Sequence, residues 1–464
     1  MTAPLRVYPL DPRELTEEQL AVVFAMTSRR PEPFDEIAEI VTTEKAADFH
    51  ERWVLNYGHA SVAEHAIIHI AVENVSRLAC DTLEDNRLGS YTEKSSRYQV
   101  IDKGFYCIPQ ELDGRTELRN IYVETCDVLF TVYQRMVEGI IEYLRTVRVR
   151  GEGERGGAYN VRLRREATDS ARFLLPAATL TNVGVTMNAR SMEHAIRKLL
   201  SSHLAEERVL GEELKLKGRQ ITPTLIKYAD PNEYMLSARK AMQALAVPYE
   251  GASTDNSVQA NLVDFDENAE AKVTTALLYR YAHESYEAIL DQVQRMSHDE
   301  RMRVIDQALE GLGPHDVPLR ELEMTDYTFD MIMDYGAYRE YKRHRMQTYI
   351  PQPLTVQLGY LTPPIVHDAG LQGEFDEAMS RCAEGFLSVS DSLPLVAEYL
   401  VTHAHKRRFL AKLNLRECYH LFKLRAQPEA HFSLSDPEYG VIVQAMKKVS
   451  ETHASLFAHL KLRR

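Results

Sequence analysis

Apolar residues recur at helical spacing over much of the chain. Ile121, Val128, Leu129, Val132 and Met136 fall on one side of a single long segment, the pattern of a helix with one face against a core. Strand-like alternation is confined to short runs such as Ala66 to Val72 (AIIHIAV), and Leu5 to Tyr8 (LRVY) predicts a further short strand. Thr16 stands before Glu17 and Glu18 as an N-cap with acids in the first turn. The pattern predicts an α+β chain, mostly helical, with limited sheet.

Two stretches break the periodicity. Arg145 to Arg165 (RTVRVRGEGERGGAYNVRLRR) is rich in Arg and Gly and predicts a long surface loop. Tyr249 to Asn261 (YEGASTDNSVQAN) is polar, with little to bury, and predicts a domain boundary. The Arg/Gly run raises nucleic-acid binding, but Tyr159 is its lone aromatic residue, Glu152 and Glu154 interrupt its charge, and the whole chain carries −13. No specific nucleic-acid partner is therefore expected.

Landmarks repeat in the same order along the 464 residues. LRVYPLD at the start is echoed by Leu262 to Asp266 (LVDFD), and Arg87 to Tyr91 (RLGSY) by Arg345 to Tyr349 (RMQTY). Phe105 to Pro109 (FYCIP) is echoed by Gly359 to Pro363 (GYLTP), and Met187 to Arg190 (MNAR) by Leu413 to Arg416 (LNLR). The ordered set reads as an internal duplication, with halves at 1–250 and 260–464. The five cysteines include no C-x-x-C pair, and no apolar run approaches the ~20 residues of a membrane-spanning helix. The N-terminus lacks the basic and apolar regions of a secretory signal, so a soluble cytoplasmic protein without membrane partners is expected.

Candidate chemistry lies in four places. Ser90 to Tyr98 (SYTEKSSRY) sets Glu93, Ser95, Ser96 and Arg97 together, which suits one phosphate; taken alone, the plainer reading is a polar loop with an ordinary ion pair. Lys342-Arg343-His344-Arg345 puts four bases in a row, either for a pyrophosphate or flavin edge or as a partly solvated face. Gly58 to His65 (GHASVAEH) lacks a metal-binding spacing and reads as a His-capped helix start with Ser61 as a polar contact. Thr402-His403-Ala404-His405 reads as a helix surface, and no metal site is expected. There is no G-x-S-x-G elbow, Walker loop or dinucleotide fingerprint, and Ser90, with no base beside it, is a binding hydroxyl.

These segments give the first half a specific resemblance. GHASVAEH, Val75 to Arg77 (VSR), RLGSYTEKSSRY, FYCIP, Ala171 to Pro176 (ARFLLP) and MNARS resemble the flavin-dependent thymidylate synthase family over nearly that whole half. The family signature R-H-R-x-x-S-x-N-E-x-S-x-R-Y falls on Asp85 to Tyr98, with its end intact and its leading Arg-His replaced by Asp85-Asn86. The second half resembles the family more faintly and departs at the opposite end: Arg343-His344-Arg345 is kept, while Pro351, Pro353 and Thr355 stand at the later Glu, Ser and Arg. The family's Asn-x-Arg, and the essential Arg nine residues on, fall on Asn414, Arg416 and Arg425; in the first half they fall on Asn188, Arg190 and Leu199, with Lys198 adjacent. A nucleotide-contacting Arg falls on Arg172, against Glu398 in the second half, and a Gln near the pyrimidine falls on Thr82 and Glu340.

The resemblance implies two tandem domains, each a small twisted sheet packed by long helices, with complementary losses. The first half would supply the dUMP site through Glu93, Ser95, Ser96, Arg97, Arg172 and Ser90. The second would supply the Arg343-His344-Arg345 flavin element and Arg425 to stabilise charge on the pyrimidine, with Ser61, Asn188, Arg190, Asn414 and Arg416 as further cofactor contacts. The implied reaction converts dUMP to dTMP with FAD, NADPH and methylenetetrahydrofolate, in a homodimer that forms a pseudo-tetramer. A different class is a degenerate paralogue that binds flavin or a uridine nucleotide without synthesis. Asp85 would repel a flavin pyrophosphate, so the first-half copy of that element is expected to be inactive.

Overall fold

The computed structural model describes residues 6–10, 12–56, 58–246, 259–313 and 315–462. The chain divides into two compact units. The first takes Met1–Ala252 together with Asp368–Leu400, and the second takes Ser253–His367 and Val401–Arg464. The repeat boundaries 1–250 and 260–464 thus differ from the compact units at one segment, residues 368–400, which belongs to the second repeat in sequence and to the first unit in space.

The first unit opens with three short helices, α1 (Glu17–Met26), α2 (Phe34–Ile40) and α3 (Thr43–Phe49). Thr16 caps α1 in a complete capping box with Gln19, as its sequence predicts. Strand β1 (Ile67–Ser76) leads into α4 (Arg77–Glu84) and β2 (Gly89–Glu93); the long helices α5 (Thr116–Val147) and α6 (Gly156–Ala171) precede β3 (Leu180–Asn188). Helices α7 (Ala189–Leu200), α8 (Ala205–Gly218) and α9 (Glu233–Ala246) follow. The sheet is antiparallel in the order β1-β3-β2. Alternate residues Val183, Val185 and Met187 of β3 point into a core closed by Met192, Ile196 and Leu199 of α7 and by Leu210 and Leu214 of α8.

The second unit begins with β4 (Ala260–Phe265), α10 (Ala269–Tyr279), α11 (Tyr286–Arg295) and α12 (His298–Leu309). Then come β5 (Asp326–Asp334), α13 (Tyr335–Tyr341), β6 (Gln347–Pro351) and α14 (Pro364–Asp368), whose last residue falls in the first unit. Helices α15 (Gln372–Ser390) and α16 (Pro394–Ala397) also belong to the first unit. The chain returns through β7 (Lys406–Asn414), α17 (Leu415–Arg425), α18 (Phe432–Ser435), α19 (Val441–Thr452) and α20 (Ala454–Phe457). The second sheet, β4-β5-β7-β6, is the first with one strand added at the β5 edge.

The repeat read from sequence is visible in the registers. Gly89 pairs Met187 and Gln347 pairs Leu413; Tyr106 bridges Thr179 and Tyr360 bridges His405. Asn188 and Asn414 each end a strand and cap the next helix by accepting from the amides of Ser191 and Glu417. Arg172 and Glu398 each open a 3-10 turn just before β3 and β7, which fixes them as counterparts.

The exchanged segment packs α15 antiparallel against α5. Gly385 lies against Thr125, Glu374 pairs with Arg135 at 3.0 Å, and Leu371 lies against Gly139. The side of α5 that carries Thr125 and Gly139 also carries Leu129, Val132 and Met136, all buried, and α15 buries Phe375, Met379 and Cys382. Each such side chain contributes ~1.5–3 kcal/mol when removed from water, so α5 needs a cover, and the equivalent part of the other repeat provides it.

Three local expectations are corrected. Residues 6–8 form no strand; Arg6 and Tyr8 bind Asp35 instead, and Leu5 lies outside the described residues. Arg145 to Arg165 is not a long loop: α5 runs to Val147 and α6 starts at Gly156. Leu163, Ala167 and Ala171 bury one face of α6, while Arg148–Glu166 and Arg162–Glu154 pairs stitch its start. Thr402 to His405 is a buried turn before β7, because His405 Nδ1 accepts from the Thr402 amide at 3.0 Å within the core. Of Tyr249 to Asn261, residues 249–258 lie outside the described residues, and Ala260 and Asn261 begin β4.

Candidate functional site

In the first unit, Arg77 is the first residue of α4 and Glu93 the last of β2. Their Nη1 and Oε1 atoms lie 2.9 Å apart, with side chains 4% and 6% exposed. Glu93 is therefore a buried, paired carboxylate. Beyond it the strip turns: the Arg97 amide donates to Ser95 Oγ at 3.2 Å, Ser96 is buried, and Ser90 is exposed on β2. Helix α6 anchors this turn from the other side. Thr168 Oγ1 donates to the Arg97 carbonyl at 2.7 Å. Asp169 Oδ2 accepts from Arg97 Nη2 at 2.7 Å; Arg172 Nε donates to the Asp169 carbonyl at 3.2 Å and lies 3.0 Å from its carboxylate as an ion pair.

Two guanidiniums thus lie against one carboxylate, two positive groups side by side at a partly exposed place. That charge and geometry suit a dianionic group such as a phosphate. Asp169 and Thr168 were missed from sequence; their signal was the spacing of Thr168, Asp169 and Arg172 along one helical turn.

The second unit builds its cluster from α13, the turn after it, and α17. Of the four consecutive bases, Lys342 and His344 are buried and Arg343 and Arg345 exposed, the two-way split that an extended turn imposes. His344 Nδ1 lies 3.1 Å from Glu417 Oε1. Arg425, in the last turn of α17, donates from Nε to His344 Nε2 at 3.2 Å, from Nη1 to Glu340 Oε2 at 3.3 Å and from Nη2 to the Glu340 carbonyl at 3.3 Å. Burial pushes the His344 imidazolium below the ordinary histidine range, against the opposing pull of Glu417. A neutral His344 then bridges Glu417 and Arg425. Glu417 and His420 were missed as site residues, and Glu340 was read only as standing where the family has Gln; its pairing with Arg425, 85 residues away, leaves no local signal.

The same place in the first unit holds different chemistry. Leu199 stands at the Arg425 position inside the core, and Lys198 Nζ reaches Asp85 Oδ2 at 3.5 Å. Thr82, the counterpart of Glu340, donates to Glu207, whose carboxyl is pushed up by burial. The remaining sequence candidates have structural tasks. Asn188 and Asn414 are helix caps; Arg190 binds Glu64 at 2.5 Å and Arg416 binds Glu323 at 2.6 Å. Ser61 is exposed in the 3-10 turn Ala60–Glu64, where His59 occupies the N-cap position without a side-chain cap bond; His65 lies instead against Phe24, ring centroids 4.9 Å apart.

A family model described as thymidylate synthase complementing protein matches residues 13–224 and again 261–451. A UPF0159 protein of Chlamydia muridarum is 31% identical over 435 residues, covering 90% of this chain and 81% of its own. A flavin-dependent thymidylate synthase of Clostridium tetani is 28% identical over 217 residues, covering 46% of this chain and 83% of its own. A solved flavin-dependent thymidylate synthase of Helicobacter pylori, complexed with FAD and dUMP, matches 44% of this chain and 100% of its own at 17% identity with a TM-score of 0.32, too slight a likeness to place residues. Among the described residues, no helix is long and apolar enough to cross a membrane.

Proposed function

We propose, for a chain that belongs to the thymidylate synthase complementing protein family in both of its repeats, that it methylates dUMP reductively to dTMP. The observation that supports this reading most is the division of polar machinery. The first repeat keeps two guanidiniums on one carboxylate and lacks the pyrimidine-facing Arg. The second keeps that Arg, Arg425, and lacks the strip.

In this reading Arg97 and Arg172 hold the 5′-phosphate, and Asp169 sets the angle between them. Arg77 fixes Glu93. Arg425 stabilises negative charge on the uracil ring, and Glu340 and His344 hold its guanidinium in place before substrate arrives, a preorganised electrostatic role. Arg343 and Arg345 fit a flavin pyrophosphate, since both are exposed two residues apart; Asp85, tied to Lys198, does not. FAD, when bound, supplies the redox chemistry, recharged by NADPH, with methylenetetrahydrofolate as carbon donor. A homodimer as pseudo-tetramer completes the reading.

One observation favours a second reading, a paralogue that binds flavin or nucleotide without turnover: Glu340 stands as a carboxylate 3.3 Å from Arg425, where the family resemblance calls for Gln. The test is dUMP-dependent oxidation of reduced flavin. Arg97→Ala and Arg425→Ala are each expected to lower it roughly 100-fold or more. Recovery on mixing the two variants assigns catalysis to pairs of chains, and no recovery assigns it to a single chain. Full activity in either variant refutes the division of labour, and wild-type protein that takes up FAD yet never turns over dUMP establishes the second reading.

A further inference from the structure

The second repeat places two imidazoles and a carboxylate on one spot. Glu417 and His420 stand three residues apart on α17, so they share a helix face. His344 comes to them from the turn before β6, its ring centroid 5.3 Å from that of His420. One donor atom from each of the three lies within 4.8 Å of the other two. His344 and Glu417 are buried and His420 is exposed, so the cluster is rigid at its base and reachable from solvent.

This donor set has a definite preference. Two nitrogens and one carboxylate oxygen match open zinc sites and the two-His-one-carboxylate class, and they are too few and too soft for calcium or magnesium. Glu-x-x-His at i, i+3 is the spacing that helical metal proteins use to project both ligands together. The first repeat has Asn86, Ser191 and His194 at the matching positions, so the set belongs to the second repeat alone. Beside it, Arg425 and Glu340 neutralise each other, and Glu417 leaves a charge that a dication satisfies. A second trio, Cys80, Glu84 and Glu93, lacks this character because Glu93 is already bound to Arg77.

We propose that His344, Glu417 and His420 bind one divalent transition-metal ion of the zinc or cobalt class, with a fourth position open to water.

The site is wired to Arg425. An arginine only donates, so His344 Nε2 accepts from Arg425 and the neutral ring carries its proton on Nδ1, toward Glu417. For a metal ion to bind at Nδ1 the ring proton would shift to Nε2, which gives Nδ1 its lone pair and ends the role of Nε2 as acceptor. Arg425 Nε then loses its acceptor and keeps Glu340. Occupancy of the site therefore removes the His344 acceptor from Arg425. The metal site stands without the reading of Arg425 as a pyrimidine-activating group; only this link rests on it.

The experiment titrates full-length, chelator-stripped protein with Co²⁺ and follows the visible ligand-field absorption. One equivalent per chain is expected, displaced by Zn²⁺, with no thiolate charge-transfer band. Loss of an outer hydrogen-bond partner already weakens metal binding ~10–100-fold, so His420→Ala and Glu417→Gln should each weaken it at least ~100-fold. His420 is exposed, so His420→Ala keeps the fold and carries the result even if Glu417→Gln does not. Cys80→Ala should titrate like the parent. Absence of the band, a thiolate band, or a His420→Ala titration that overlays the parent overturns the proposal. If cobalt binds as expected while Arg97→Ala and Arg425→Ala leave dUMP turnover intact, the metal site stands and the catalytic reading falls.

Discussion

Replacing Arg77 by Met should damage the first unit far more than the pair itself is worth. Arg77 and Glu93 lie 2.9 Å apart with side chains 4% and 6% exposed. At an effective dielectric of ~20 the bare attraction is about 6 kcal/mol, and the desolvation of two buried ions offsets most of it. The pair's net value is therefore small. Removing one member takes from the other its buried counter-ion at 2.9 Å, a break that costs about 3–5 kcal/mol. The single tryptophan, Trp53, lies in the first unit, so its fluorescence follows the urea unfolding of that unit. Arg77→Met and Glu93→Met should each lower the fluorescence-detected stability by about 3–5 kcal/mol. The double variant should return to within ~1–2 kcal/mol of wild type, as replacement of buried ion pairs by apolar residues usually does. A loss below ~1 kcal/mol in Arg77→Met, or a double variant equal to the sum of the singles, refutes the claim that Glu93 is held as a buried ion.

Further predictions concern the second unit and the helix pair. Glu340→Gln keeps an amide oxygen and the backbone carbonyl to hold Arg425 but removes the carboxylate charge 3.3 Å from it, and should raise dUMP turnover roughly tenfold, of the order that one unmatched charge contributes; unchanged or lower turnover argues that the charge of Glu340 does not oppose Arg425. Burial pushes His405 down to about 3. A depressed histidine adds stability above the unfolded value near ~6.5 that is lost as pH falls, about 2 kcal/mol between pH 7 and 5. Urea midpoints at the two pH values should converge in His405→Gln relative to wild type by that amount, and an undiminished gap places the pH sensitivity elsewhere. A Cβ at Gly385 collides with Thr125 on α5, so Gly385→Val should cost about 1–3 kcal/mol by thermal or urea unfolding; a neutral effect means that α15 does not seat closely on α5.

Much of the fold was written in local signals. Three of the four landmark pairs proved to be structural counterparts: RLGSY and RMQTY supply the edge strands β2 and β6, FYCIP and GYLTP the bridges at Tyr106 and Tyr360, and MNAR and LNLR the asparagine caps, whereas LVDFD forms β4 and residues 6–8 form no strand. What local signals missed follows from long-range packing. The Arg/Gly run looked like a loop because its composition hid the spacing of Leu163, Ala167 and Ala171, and its helix is fastened by ion pairs eight and eighteen residues apart. His403 and His405 read as surface residues because polar side chains usually are, yet both are buried beneath β7. Of the candidate site, Arg97, Arg172, His344 and Arg425 were legible from motifs. Their restraints, Asp169, Glu417 and the contact of Glu340 with Arg425, were legible only from the folded chain.

The exchange of residues 368–400 has a consequence for the history of the chain. A duplication whose copies fold independently can be undone: cut the linker, and each half survives. Here the chain leaves the second unit after His367 and re-enters it at Val401, and the piece between covers the buried face of α5. A gene cut between the repeats would give a first product with an uncovered helix and a second with an unhoused one. Fusion works here as a ratchet: once the first unit takes part of its core from the second repeat, a single cut no longer separates the two copies.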